Sequence, residues 1–195
     1  MKTNNCDHGK FAAPGEIRFV RELPGPIERV WDYLTDAGKR SRWLATGTME
    51  LRVGGKVHLE FHHADLTLPP HLEEIPDKDQ EPCTTGSEAC NLTGRVTRCE
   101  PPRLLSFTWG EMGDSEVSFE LTPQADRVQL VLTHRKLGDD RAMLTGVAAG
   151  WHTHMAIMIA KLEGTPPPPF WSTHSKLEAE YERQLTGQTA PHPTP

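Results

Sequence analysis

The chain has 195 residues, 36% of them hydrophobic, and a formal net charge of −6 at pH 7. That length supports one domain with a substantial core, and that charge offers no broad basic surface to nucleic acid or to an anionic membrane face. No window approaches the roughly 18 uninterrupted apolar residues of a membrane span, and the opening MKTNNCDHGKFAAPG lacks an export signal's apolar segment, so a cytoplasmic location is expected.

Residues 1–15 read as an N-terminal tail. GEIRFVREL (residues 15–23) alternates Ile17, Phe19 and Arg21 against polar neighbours, the period of a half-buried strand. PGPIERVWDYLTDAGKRSRWLA then places Pro24 and Pro26 at helix-entry angles, with Ile27, Val30, Trp31 and Leu34 on one helical face. Asp36 caps a second short helix that carries Trp43 and Leu44 inward.

Strands are predicted over 49–53, 56–62, 92–99, 104–109, 116–121 and 127–134. One face collects Val57, Leu59, Phe61, Leu105, Phe107 and Trp109, continued by Val117, Phe119, Leu121, Val128, Leu130 and Leu132. Arg95, Thr97, Ser106, Thr108, Ser118, Glu120, Gln129 and Thr133 face the other way, towards water. Hairpin-length connections make this an antiparallel meander whose dry face needs a cover.

The cover is a helix over 139–162, with Leu144, Ala148, Trp151, Met155, Met158, Ile159 and Leu162 in one stripe and Ile157 on its back. TPPPPF ends it, and residues 165–195 read as a Pro-rich linker, a short helix through Leu177, Tyr181 and Leu185, and a tail. Residues 63–91, rich in Pro, Asp, Glu, Thr and Ser, read as a flexible insertion within a domain spanning 16–164.

His152 and His154, in GWHTHMAIMIAKLEG, stand about 200° apart on a helix and cannot grip one metal ion. Both are expected at the edges of the apolar stripe. His62, His63, His71, Cys83 and Cys90 match no zinc module, and Cys6, Cys83, Cys90 and Cys99 are expected as free thiols. No GxSxG elbow occurs, and the apolar sheet face holds no carboxylate for acid–base work. The sequence thus assigns no catalytic residue, metal or cofactor, and favours binding over catalysis.

Phe61, Trp109, Phe119, Trp151, Met155 and Met158 suit a planar apolar ligand by stacking and adaptable packing. They suit a filled core equally well, because periodicity does not show whether side chains fill a volume. Leu130 shares their face. His134, of the same parity as Leu130 and Leu132, is the polar group at one end of any cavity, and His154 offers a polar contact at its rim.

The order of strand, two helices, antiparallel sheet and one long helix resembles the START-like (SRPBCC) superfamily. More narrowly, the chain resembles the family named after the activator of the heat-shock-protein-90 ATPase. The matching segments are PGPIERVWDYLTDAGKRSRWLA, VGGKVHLEF, GRVTRCEPPRLLSFTWG, SEVSFELTPQADRVQLVLTHRKL and AAGWHTHMAIMIAKLEG. The resemblance implies an α+β helix-grip fold, a curved antiparallel sheet wrapped around a long C-terminal helix with an elongated cavity between them. Members generally place apolar or aromatic small molecules there, and lineages such as the polyketide aromatases and cyclases do chemistry in it. The eukaryotic activator carries a separate N-terminal domain for the chaperone, which the fifteen residues before the first strand do not supply.

The expected function is therefore non-catalytic binding of a small hydrophobic or aromatic metabolite, contacted by Phe61, Trp109, Phe119, Leu130, His134, Trp151, His154, Met155 and Met158. Two alternatives stay open: a cyclase-, aromatase- or hydrolase-like enzyme on the same scaffold, and a chaperone-associated or homodimeric interaction module that would use Ile157.

Overall fold

A computed structural model of the chain describes residues 4–67, 91–110 and 115–188. Strand β1 (Lys10–Ala13) and strand β2 (Glu16–Pro24) form a hairpin that turns at Gly15, whose φ of +66° suits glycine. β1 falls within the segment expected as a tail. It is an edge strand with only Phe11 half-buried, so it carries no alternating pattern to read, and its backbone pairing (Lys10 opposite Arg18, Phe11 opposite Ile17) defines it instead.

Helix α1 (Ile27–Thr35) starts after the N-cap Pro26, whereas Pro24 ends β2 opposite Arg127 rather than entering the helix. The Asp36 carboxylate accepts the Lys39 N–H at the start of helix α2 (Ala37–Arg40), as expected. The buried Arg40 guanidinium donates to the Gly47 carbonyl at 2.6 Å and the Thr35 carbonyl at 3.2 Å. Trp43 donates its indole N–H to the Tyr33 carbonyl at 2.8 Å and is fully buried. These bonds fix the two helices over one end of the sheet.

Strand β3 (Thr46–Met49) lies three residues ahead of the strand expected at 49–53, and Leu51 and Val53 are exposed in the turn that follows. The apolar residues of that turn misled the pattern. Gly47, φ +95°, lies so close to His58 that an added Cβ would strike its carbonyl, and that approach sets the register. Strands β4 (Lys56–Glu60), β5 (Asn91–Glu100), β6 (Leu104–Trp109), β7 (Ser115–Gln124) and β8 (Arg127–Arg135) match the remaining expectations to within a few residues.

Among the described residues the strands form one eight-stranded sheet in the order β1-β2-β8-β7-β6-β5-β4-β3, antiparallel throughout. β5 pairs with β4 through Asn91 to Arg95 and with β6 from Val96 onward, with a bulge between Val96 and Arg98. That irregularity bends the strand. Cross-strand rows keep the faces apart: Leu105, Phe119, Leu132 and Phe19 stand in line on the inner face. On the outer face Ser106, Ser118 and Thr133 are buried too, with the two serine hydroxyls 3.0 Å apart, so that side is not uniformly wet.

Helix α3 (Arg141–Glu163) lies in the curl of the sheet, a helix-grip arrangement, capped by the Asp140 carboxylate on the Met143 N–H and ended by Gly164 at φ +72°. The expected stripe is buried apart from the half-buried Leu144, but so are Thr153, Ile157 and Ala160 on its other sides. The reason is helix α4 (Phe170–Gln188), nineteen residues long where a short helix was expected, which packs along α3 and turns Phe170, Trp171, Leu177 and Tyr181 inward. Ile157 is therefore core, not an outward patch. The Tyr181 hydroxyl accepts the Gly9 N–H at 2.8 Å and His8 reaches Glu180 at 2.8 Å, which ties the chain's beginning to α4.

Of the segment 63–91, residues 63–67 and 91 are described. His63–Asp65 form one turn of 3₁₀ helix, and Leu66 is buried beside it, so the start of the segment expected as a flexible insertion belongs to the core. Cys6 and Cys99 are free thiols, while Cys83 and Cys90 fall outside the described residues. No helix among the described residues is long and apolar enough to cross a membrane.

Candidate functional site

A cavity of about 460 Å³ lies between the N-terminal half of α3, the ends of β4 to β6, the turn at His63 and the start of α4. α3 creates the space through what it lacks. Ala142, Gly146 and Gly150 follow one another at four-residue steps along its cavity side, and a Cβ added at Gly146 or Gly150 would meet nothing within 4 Å. The same row continues into His154 and then Met158, so the cavity closes where side chains resume.

Aromatic rings form the walls. Trp109 meets Trp151 edge-on at 5.1 Å between centroids and lies 5.9 Å from Phe61, while Phe170 and Trp171 close the opposite side from α4. The exposed Met143 and Asn91 stand at the mouth.

One end is locked by a directed hydrogen-bond chain. The Trp151 indole can only donate, so its N–H goes to His134 Nδ1 at 3.0 Å and the imidazole proton sits on Nε2. His134 Nε2–H then donates to Ser115 Oγ at 3.0 Å, and Ser115 donates to the Trp109 carbonyl at 3.2 Å. Burial pushes the His134 imidazole down to about 3, so it is neutral at physiological pH.

The other end gathers histidines around Phe170. His154 donates Nδ1–H to the Trp43 carbonyl at 2.7 Å, which leaves the lone pair on Nε2. Burial lowers it to about 4; the bond to the Trp43 carbonyl opposes that shift, and His174 adds slightly to it. His63 stacks on Phe170 with centroids 4.3 Å apart and stands 5.3 Å from His154. Burial, then the neighbouring His154, His174 and His62, hold His63 well below the usual histidine range. Its Nδ1, and the indole N–H of Trp171, are buried without a hydrogen-bond partner among the described residues.

Phe61, Trp109, His134, Trp151 and His154 line this cavity. Phe119, Leu130, Met155 and Met158 do not. Met155 and Met158 lie one turn further along α3, where sheet and helix meet without a gap, and Leu130 is filled core with them. Phe119 supports the wall from behind, edge-on to Trp151 at 5.6 Å.

His152 and His154 are 6% and 5% exposed rather than at the edge, because α4 covers the helix. They diverge as their spacing requires: His152 Nδ1 lies 3.0 Å from the Tyr181 hydroxyl, on the side away from the cavity. Among the described residues no three His, Cys, Asp or Glu side chains stand so as to hold a metal ion. His62 is exposed, and His71 lies outside the described residues together with Cys83 and Cys90.

Sequence reasoning missed Gly146, Val147, Gly150, Phe170, Trp171 and His174 as cavity residues, and read His63 as loop. A signal existed for the glycines. Glycine inside a helix costs about 1 kcal/mol relative to alanine, so two at one four-residue step call for a structural reason.

The family model described as "Activator of Hsp90 ATPase homolog 1-like protein" matches residues 24–73 and 81–163. A solution NMR structure of a Bordetella parapertussis protein is 44% identical, with 91% of this chain and 90% of that chain covered and a TM-score of 0.74. CalU16 from Micromonospora echinospora is 23% identical over 87% of this chain and 88% of its own, with a TM-score of 0.62. The Aha1 dimer from Colwellia psychrerythraea is 15% identical over 76% and 96%, with a TM-score of 0.56. The latter two likenesses concern the fold alone. No curated protein matches the chain. The chain belongs to the activator-of-Hsp90-ATPase homolog 1-like family.

Proposed function

We propose that this member of the family binds a small hydrophobic or aromatic molecule in the cavity between sheet and α3, without chemistry of its own. The supporting observation is the cavity itself: about 460 Å³, within the size range of small-molecule sites, bordered by Trp109, Trp151, Trp171, Phe61 and Phe170. The hydrogen-bond chain through His134 holds Trp151 in place before any ligand arrives, so little side-chain entropy is lost on binding. Ionisable side chains among the described lining residues are four histidines, and no carboxylate stands among them to pair as acid and base. This favours a binder over a cyclase- or hydrolase-like enzyme. With α4 on Ile157, an interaction module has lost the surface that suggested it.

The test is a library of aromatic metabolites and lipids read by melting temperature and tryptophan fluorescence. A ligand at a hundred times its dissociation constant adds about 2.7 kcal/mol, a rise of roughly 5–10 °C for a domain of this size. The absence of both signals across a broad library would overturn the proposal.

A further inference from the structure

The polar atoms of the cavity are unevenly matched. At the Trp151 end the indole N–H, both His134 nitrogens and the Ser115 hydroxyl belong to one chain of bonds. The α4 end differs. Trp171 is 5% exposed, lines the cavity, and its indole N–H has no acceptor among the described residues. Beside it, His63 Nδ1 is buried without a partner, and the His154 ring holds an Nε2 lone pair because Nδ1–H is spent on the Trp43 carbonyl.

These groups lie together. The His63 ring centroid is 5.3 Å from that of His154 and 5.4 Å from that of Trp171. An indole N–H needs an acceptor, and an imidazole lone pair needs a donor. One hydroxyl meets the indole and one of the two imidazoles, since it accepts and donates at a single atom. A carbonyl or an ether only accepts, and leaves the imidazole unmet. A carboxylate brings a charge into a cavity where no Lys or Arg stands among the described lining residues. Around this corner the surface is aromatic, with Phe61 5.7 Å from His63 and 6.3 Å from His154.

We propose that the cavity takes an uncharged planar hydroxy-aromatic molecule whose hydroxyl lodges between Trp171 and the imidazoles of His63 and His154, with its rings against Phe61, Trp109 and Trp151. The proposal rests on the binding reading above and narrows it to the phenol class. It also assigns Trp171 to recognition of the ligand.

The test compares four probes that share one ring system, naphthol, naphthalene, methoxynaphthalene and naphthoate, titrated into the full chain at neutral pH. Naphthol is expected to bind about tenfold or more tightly than naphthalene and methoxynaphthalene, the value of meeting otherwise unmatched buried groups, and naphthoate not at all. Trp171→Phe should abolish that preference, bringing the ratio of naphthol to naphthalene affinity down to about one whatever it does to the two affinities themselves. Should the variant not fold, the Trp171 indole N–H resonance of the wild-type chain gives the same answer, by moving further downfield with naphthol, as a new hydrogen bond requires, than with naphthalene, which acts by ring current alone. Equal affinity for naphthol and naphthalene, or tighter binding of naphthoate, overturns the hydroxyl assignment and leaves the binding proposal standing. So does binding of none of the four when other library members raise the melting temperature. Silence from the whole library overturns both.

Discussion

Replacing Gly150 by alanine and by leucine separates the stability of α3 from the use of the space beside it. Gly150 lies inside the helix, lines the cavity, and an added Cβ has nothing within 4 Å, so no clash opposes a Cβ there and the cavity lies beyond it. Alanine in a helix interior is favoured over glycine by about 1 kcal/mol, because the unfolded chain loses less backbone freedom. Gly150→Ala should therefore stabilise by about that amount, roughly 2–4 °C in melting temperature. Leucine keeps most of the propensity gain and buries part of an apolar side chain, which adds about 1 kcal/mol more. The same side chain takes up ligand space. Gly150→Leu should therefore be more stable than the parent yet bind any cavity ligand at least about tenfold more weakly. Denaturant midpoints at constant m-value give the first quantity, and ligand titration the second. A loss of more than about 1 kcal/mol in Gly150→Leu would show that the space is filled. A stable variant with unchanged ligand affinity would place the binding site elsewhere.

Two further outcomes concern groups buried away from water. His134 and His152 are held at about 3 and His154 at about 4, each chiefly by burial, while an unfolded histidine protonates near 6.5, so the unfolded chain takes up more protons as the pH falls. Their stabilisation is complete above about pH 6.5 and is lost on descending towards pH 4, at about 4 kcal/mol per pH unit for the three together once the unfolded forms are charged. Denaturant unfolding between about pH 7 and 5 checks this, and a flat profile would show that the imidazoles charge within the fold. Arg21 is 1% exposed, stands 5.3 Å from the Phe19 ring centroid, and leaves Nε and Nη2 without partners. Arg21→Met should be neutral or stabilising by up to about 2 kcal/mol, and a loss of that size would reveal a charge partner for the guanidinium.

The sheet was legible because its side-chain period is two. Leu105, Phe119 and Leu132 could be assigned to one face from their spacing alone, and the observed register sets them opposite one another. The weak points were elements whose evidence is not periodic. β1 is defined by backbone pairing at an edge, and β3 contains Gly47 and two threonines where an alternating pattern would have four informative positions. Only Leu177, Tyr181 and Leu185 marked α4, and the helix's full length depends on the surface of α3 it covers. That one omission explains two errors together, the exposure expected for Ile157 and the edge positions expected for His152 and His154.

The cavity was less legible for a different reason. Helical phase shows which residues point at the sheet, and it ranks Trp151, Met155 and Met158 equally; it does not show how far the sheet stands from the helix. The row Ala142, Gly146, Gly150, His154, Met158 carries that information in its volumes. Three positions without side chains beyond Cβ leave room, an imidazole ends it, and a methionine fills the next turn. Had the helix been read for the size of each side chain along its four-residue rows as well as for polarity, the empty half and the filled half would have separated. Phe170 and Trp171 enter from α4, and no pattern in α3 could supply them. The ring nitrogens left unmatched at that end lie where these two elements meet, which is why the candidate ligand's chemistry follows from the packing of α4 rather than from any motif.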